Sequence, residues 1–105
     1  MIAWRANNMS RQVILLGDKD TGHGSHPPTA VTSGSPTVQI NGRPVARQGD
    51  PLAPHRKPGG SSHGRRIAKG KATCLVDGKP IALSGHPVDC GGHLVPGAGS
   101  GVTVG

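Results

Sequence analysis

The chain has 105 residues with a formal net charge of +7, and it contains 18 glycines, 10 prolines and one aromatic residue, Trp4. A chain of this size with so few large apolar side chains buries a thin core, and such scaffolds need a staple such as a disulfide, a metal ion or a partner. No apolar segment is long enough to span a bilayer, and no apolar stretch near Met1 marks a secretory signal peptide. The composition therefore excludes a helical membrane protein and predicts synthesis in the cytoplasm without export by the general route.

The first predicted strand follows a short arm. Residues 1–8 match no other part of the chain and are expected to form a tag-like or flexible extension, which leaves residues 9–105 as a single domain. The stretch RQVILLGD, residues 11–18, resembles the closing strand of a unit that is repeated farther along the chain. Repetition at a fixed period indicates that one small supersecondary unit is used more than once.

The repeated unit is a phrase of seventeen residues that predicts a β-hairpin. Its two copies are GSPTVQINGRPVARQGD, residues 34–50, and GKATCLVDGKPIALSGH, residues 70–86. Val38 and Ile40 alternate with polar neighbours, which is the pattern of a half-buried strand. Asn41-Gly42 and Asp77-Gly78 then supply pairs of residues that tolerate the positive φ of a type I′ turn.

A third copy is divided between the two ends of the chain. The tail GSGVTV, residues 99–104, resembles the outgoing strand of the repeat, and residues 11–18 resemble the return strand. We therefore expect the last strand to pair with the first, which closes the sheet and removes two unpaired edges. The predicted fold is all-β, small and conical (pyramidal), with three hairpin-like repeats around a pseudo-threefold axis.

Candidate metal ligands stand at matched points of the three units. The segments GDKDTGH, GDPLAPH and GHPVDC end in His23, His55 and Cys90. Threefold closure brings equivalent points to the axis, so these side chains are expected to converge. His63, in the long central loop, is the best fourth ligand. Three histidines and one cysteine suit one zinc ion, and four protein ligands make such a site structural and not catalytic.

Three further histidines remain, and they are His26, His86 and His93. His26 follows His23 closely and is therefore the best substitute ligand. His86 stands where the preceding unit has Asp50, so we expect it to form a hydrogen bond or to lie at the surface.

A disulfide would be another kind of staple, and catalysis would be another role for the polar residues. Cys74 and Cys90 permit one disulfide, but Cys74 occupies the position of Val38 in the repeat, which favours a small strand residue. Asp18 and Asp50 sit at matched positions, which favours turn capping over acid–base chemistry. Because nothing resembles a nucleophile elbow either, we do not expect an enzyme.

Basic residues are frequent along the chain, and eight of them cluster at Arg43, Arg47, Arg56, Lys57, Arg65, Arg66, Lys69 and Lys71. Such a cluster can be a nucleic-acid footprint. The chain offers no aromatic platform of the kind that single-strand binding modules use. A solvated face, or one matched to an acidic partner, is therefore the preferred interpretation, and a zinc-stabilised nucleic-acid-binding module is the alternative function.

The two repeated phrases, with DTGHG at residues 20–24 and DCGG at residues 89–92, resemble the PAAR-repeat family. The family is named for a Pro-Ala-Ala-Arg phrase, which reads PVAR at residues 44–47 here. The resemblance covers about residues 9–105. It implies a conical β-structure that caps and sharpens the trimeric VgrG spike of a type VI secretion system, or a related contractile tail.

The resemblance also implies a ligand set and partners. The family binds zinc near its apex through three histidines and one cysteine, which carries over to His23, His55, His63 and Cys90. Relatives often have cysteine where this chain has His55. The resemblance implies a monomer that sits on a trimeric spike and is secreted or injected with it. The monomer would contact the target-cell membrane transiently during puncture and would help to load separate effectors.

Overall fold

The structure is a computed structural model that describes residues 10–24, 26–55, 63–89, 91–97 and 99–105. Within these ranges the regular elements are ten short strands: β1 Arg11–Gln12, β2 Lys19–Asp20, β3 Gln39–Ile40, β4 Arg43–Pro44, β5 Pro51–His55, β6 His63–Arg66, β7 Lys71–Val76, β8 Lys79–Ile81, β9 Leu94–Val95 and β10 Thr103–Val104. All strand pairs are antiparallel, and no helix occurs in the described residues, which confirms the all-β fold. No membrane-spanning helix is found in the same residues.

The chain runs up and down three times between two ends. We call the end that carries His23 and His55 the upper end, and the end that carries the turns at Asn41 and Asp77 the lower end. Both turns have the φ values of a type I′ hairpin, at 54° for Asn41 and Asp77 and 78° for the glycine that follows each. The predicted hairpins are thus confirmed as β3–β4 and β7–β8.

The third lower hairpin joins the two ends of the chain, as predicted. β1 pairs with β10, with Arg11 opposite Val104 and Gln12 opposite Thr103. The Val13 N–H extends this ladder by donating to the Val102 carbonyl at 2.9 Å. Three hairpin-like units therefore surround the axis, and the unit assembled from the termini completes the ring.

The upper half is also a closed ring, made of three hairpins joined edge to edge. The hairpins pair residues 17–20 with 29–31, residues 49–52 with 65–67, and residues 85–87 with 93–94. Neighbouring hairpins are joined by backbone hydrogen bonds of 2.9 Å, from Ala53 to Ala30, from Ala68 to Pro87 and from Thr21 to His93. The ring carries the loops between the paired segments at the upper end.

A cyclic set of backbone hydrogen bonds lies at the centre of the molecule. The Ile14 N–H donates to the Ala82 carbonyl at 3.0 Å, the Ala82 N–H to Ala46 at 3.0 Å, and the Ala46 N–H to Ile14 at 2.9 Å. All three residues are fully buried. Each belongs to a different unit at the same repeat position, so the three chains meet on the pseudo-threefold axis.

The apolar core forms two layers around this centre. The upper layer comprises Ile14, Val31, Ala46, Leu52, Ile67, Ala82, Val88 and Leu94. The lower layer comprises Val13, Leu15, Val45, Val76, Ile81 and Leu83, with Ile40, Cys74 and Val104 packed partly buried against it. The expectation that Cys74 is a small strand residue is confirmed, because it is a free thiol in this layer. Val38 departs from the expected burial and is 40% exposed.

Each unit closes its ascending strand with the same side-chain cap. Asp18 accepts the Leu15 N–H at 2.9 Å, and Asp50 accepts the Arg47 N–H at 2.8 Å. In the third unit the Nδ1 atom of His86 takes this role and accepts the Leu83 N–H at 2.9 Å. The predicted turn capping by the two aspartates is confirmed, and the matched histidine forms the expected hydrogen bond.

Arginines of the basic cluster are used inside the fold. Arg43 pairs with Asp18 at 2.8 Å, and Arg47 pairs with Asp50 at 2.9 Å and with Asp77 at 3.0 Å. The Arg47–Asp50 pair is almost completely buried. These arginines fix turns and repeat contacts, so they do not form a free basic face. Arg56 and Lys57 lie outside the described residues.

The axial alanines are completely buried in the core. We expect Ala46→Leu to lower the free energy of unfolding by about 1–3 kcal/mol, because an overpacked core displaces its neighbours. Ala72→Leu on the exposed face of β7 is the matched control and should change stability by less than about 0.5 kcal/mol. Urea denaturation measures both, and equal effects would contradict the role assigned to the axial ring.

The cap of the third unit makes stability depend on pH. Burial, with the nearby cations Arg11 and Lys71, lowers the pKa of His86 below its ordinary value of 6.5. As the pH falls through about 6.5, His86 binds a proton in the unfolded chain more readily than in the folded one. The free energy of unfolding therefore falls. A carboxylate keeps its charge in this range and is attracted by both cations.

The variant His86→Asp tests this cap. Its stability relative to the native chain should increase as the pH is lowered from about 7.5 to about 5. The reason is that only the native chain loses stability when its cap must be protonated. Urea denaturation at several pH values measures the difference. A difference that is the same at every pH would show that protonation of His86 does not weaken the fold.

Candidate metal centre

Three imidazoles meet at the upper end of the molecule. They belong to His23 and His26 of the first loop and to His55 at the end of β5. One ring nitrogen from each lies within 4.8 Å of the others, and the ring centroids are 4.6–4.8 Å apart. Imidazole nitrogens are common metal ligands, so this cluster can hold a metal ion.

The first loop is a tight turn that directs two histidines to the same place. The His26 N–H donates to the His23 carbonyl at 2.8 Å, and the His23 N–H donates back to His26 at 3.1 Å. Gly22 permits this closure, since a Cβ atom there would lie 2.6 Å from the His26 oxygen. The reciprocal bonds hold both rings on the same side of the loop, where they stack.

The orientation of His55 is suited to a metal ligand. Its Nδ1 atom lies 3.1 Å from the Pro27 carbonyl oxygen, which can only accept, so Nδ1 carries the proton. A second hydrogen bond of this kind commonly orients metal-binding histidines. The Nε2 atom of His55 then lies 3.2 Å from Nε2 of His23. Two nitrogens on one tetrahedral zinc lie about 3.3–3.4 Å apart, so the pair fits such an ion.

The side chains of the other two expected ligands are not described. The backbone of His63 lies opposite His55 in the β5–β6 register, but its side chain is outside the described part of the structure, and so is Cys90. Gly91, the next residue, packs directly on the His23 ring, because a Cβ atom there would lie 3.0 Å from its Cγ. The structure thus brings His23 and His55 together and adds His26 to them.

A buried ion pair joins the chain segments around this cluster. Asp20 and Arg65 bond through their side chains, and both side chains are fully buried. Arg65 also donates to the Thr29 hydroxyl at 2.8 Å and to the Gly91 carbonyl at 3.2 Å. The pair therefore links β6 to the first hairpin and to the third loop, where Gly91 packs on the His23 ring.

The charge of Asp20 is stabilised at this position. Burial alone would raise the pKa of its carboxyl, but hydrogen bonds from Arg65, Thr29 and Gly22 outweigh it and hold the pKa below its ordinary value. The carboxylate thus stays ionised and occupied by its own donors, which leaves the imidazoles as the metal-binding groups among the described side chains at the upper end.

Sequence reasoning missed this pair, although a signal was present. Asp20 occupies the position that Leu52 and Val88 fill in the other two units, and both of those residues belong to the upper core. A charge in a repeat position that is otherwise apolar predicts a buried partner. The repeat did not predict His26, because the residues at the equivalent positions of the other two units, counted from the capping residues, are not histidines.

Comparison with known families identifies a match. A family model described as PAAR motif matches residues 21–96, which is more than half of the chain. The matched range contains the three clustered histidines and the Asp20 partner Arg65. A comparison with curated proteins finds none that matches the chain.

The contact between Gly91 and His23 yields a prediction about metal affinity. Gly91→Ala would place a methyl group against the His23 ring, so we expect weaker zinc binding by at least about tenfold, measured by competition with a chelator. The variant should also lose about 1–2 kcal/mol of stability, because its φ of 99° is strained for alanine.

The control is Gly49→Ala. Its φ is 93°, and no atom lies within 4 Å of the added methyl group, so it introduces the backbone strain without touching the histidines. Zinc affinity should stay near that of the native chain. Equal losses of affinity in both variants would show that backbone strain, and not displacement of His23, causes the effect.

Proposed function

The chain belongs to the PAAR-motif family, whose members are spike components of type VI secretion machines, and we propose that it caps and sharpens a trimeric VgrG-type spike. The observation that carries this proposal is the cyclic set of hydrogen bonds among Ile14, Ala46 and Ala82. It gives one chain three matched sides, so that a monomer can seat on a threefold partner without a symmetry mismatch.

The lower half supplies a surface suited to such a partner. Each lower hairpin exposes one large apolar side chain, and these are Val38, Leu75 and Val102. Exposed apolar groups arranged around an axis favour docking against another protein. We assign the spike trimer to this surface, which leaves the upper end to lead into the target membrane.

At the upper end we propose one structural zinc ion held by His23, His55, His63 and Cys90. The chemistry of the described donors fits the ion, because His55 presents Nε2 to Nε2 of His23 at the spacing of two zinc ligands. The bound ion would supply a cross-link between loops that contain little apolar material. Four protein ligands leave no open position, which favours a structural role over catalysis.

Mechanical load is the physical reason for these cross-links. A tip that punctures a membrane must resist bending of its loops, and the Asp20–Arg65 pair already joins the same loops through buried hydrogen bonds. The proposal includes export with the spike, transient contact with the target-cell membrane, and attachment of separate effectors to the tip. It describes a structural protein and not an enzyme.

A nucleic-acid-binding module is the second candidate, and the charge distribution favours it. The five acidic residues are all bonded to the protein's own donors, namely Asp18, Asp20, Asp50, Asp77 and Asp89. The exposed charge is therefore mostly positive. Salt-sensitive binding of DNA, without association with a spike trimer, is the result expected for this alternative.

The docking surface is tested by one substitution and its control. Leu75→Glu places a carboxylate in the proposed interface, and we expect the dissociation constant for the spike trimer to rise at least about tenfold. Val95→Glu, at a comparably exposed site in the upper half, should leave the constant unchanged.

Surface-immobilised spike protein and the purified chain are sufficient for this measurement. If Leu75→Glu binds as tightly as the native chain, the lower apolar side chains are not the docking surface. If the native chain does not bind any cognate spike but binds DNA with a steep salt dependence, the second candidate function replaces the first.

A further inference from the structure

The ring of His26 lies against both of the other imidazoles at the upper end. Its centroid is 4.6 Å from that of His23 and 4.6 Å from that of His55. The three nitrogens that define the cluster are no more than 4.8 Å apart. His26 therefore lies as close to the two histidines that the repeat pattern predicts as they lie to each other.

The three nitrogens can reach one ion with small movements. Atoms within 4.8 Å of one another share a central point that is at most about 2.8 Å from each of them. A zinc–imidazole bond is about 2.0–2.1 Å, so each ring needs to move by less than about 1 Å. Rotation about the side-chain bonds is sufficient for this, and the backbone can stay in place.

Two of the rings are held in this arrangement by backbone contacts. The reciprocal hydrogen bonds of 2.8 and 3.1 Å between His23 and His26 fix the spacing of these residues in the first loop. The third ring is oriented by the Pro27 carbonyl, which comes from the same loop and accepts from Nδ1 of His55. The loop therefore supplies two ligands and the group that aligns the third.

We propose that His26 is a metal ligand in this chain, and that the imidazoles of His23, His26 and His55 keep the ion bound when the Cys90 thiolate is lost. The inference rests on the metal centre of the proposed function and adds a binding mode to it. Thiolates are readily oxidised, whereas imidazoles are not. An ion held by three imidazoles would stay bound when the tip moves from a reducing into an oxidising compartment.

Variants of the full chain test this binding mode through their zinc content. After equilibration with buffered zinc, Cys90→Ser should retain about one ion per chain, measured by elemental mass spectrometry. The double variant Cys90→Ser/His26→Ala should lose it. Cys90→Ser/His93→Ala is the matched control, because His93 is exposed and lies outside the cluster, and it should retain the ion.

Each outcome has a separate meaning. Loss of zinc from Cys90→Ser, or its retention in Cys90→Ser/His26→Ala, would overturn the inference and leave the proposed function standing. A native chain that binds no zinc would instead contradict the metal centre of the proposed function. If the double variant does not fold, His26→Ala alone decides: a zinc dissociation constant at least about tenfold higher supports the inference, and an unchanged one overturns it.

Discussion

Three backbone hydrogen bonds on the pseudo-threefold axis determine how the rest of the chain is arranged. Ile14, Ala46 and Ala82 each donate to one neighbour and accept from the other, so no strand can slip without breaking two bonds. A shift of one residue would also exchange buried and exposed side chains. The axial ring therefore fixes the register of the layers above and below it, and with it the position of the upper loops.

Polar cross-links supplement a core that is too thin to hold the loops alone. The core contains no aromatic side chain among the described residues, and its largest fully buried groups are aliphatic. At the upper end, Arg65 of the Asp20–Arg65 pair also donates to Thr29 in the first hairpin and to Gly91 in the third loop. The additional hydrogen bonds of Arg65 offset part of the cost of burying this charge pair and tie the loops together, and the buried Nε atom of Arg65 is left without a hydrogen-bond partner among the described residues. The imidazole cluster lies on this support.

The repeat allowed the architecture to be predicted from sequence, because glycine turns and strand patterns recur at matched positions. Pairing of the two termini followed from the incomplete third copy. The Asp20–Arg65 pair was not predicted, since it joins residues 45 positions apart that break the repeat in different units. His26 entered the cluster through the local closure at Gly22, which depends on backbone geometry and leaves no periodic signal. Residues that obey the repeat were predictable from it, whereas His26 could be named only as a substitute ligand, because it follows His23 closely in the sequence.

The central claim is that one chain with three matched sides seats on a threefold spike. It is tested most directly by measuring the mass of the complex between the purified chain and a cognate spike trimer. The account predicts one copy of this chain per trimer, even when the chain is in excess, because its three sides occupy all three equivalent positions at once. Three copies per trimer, or no complex with a cognate spike, would contradict it.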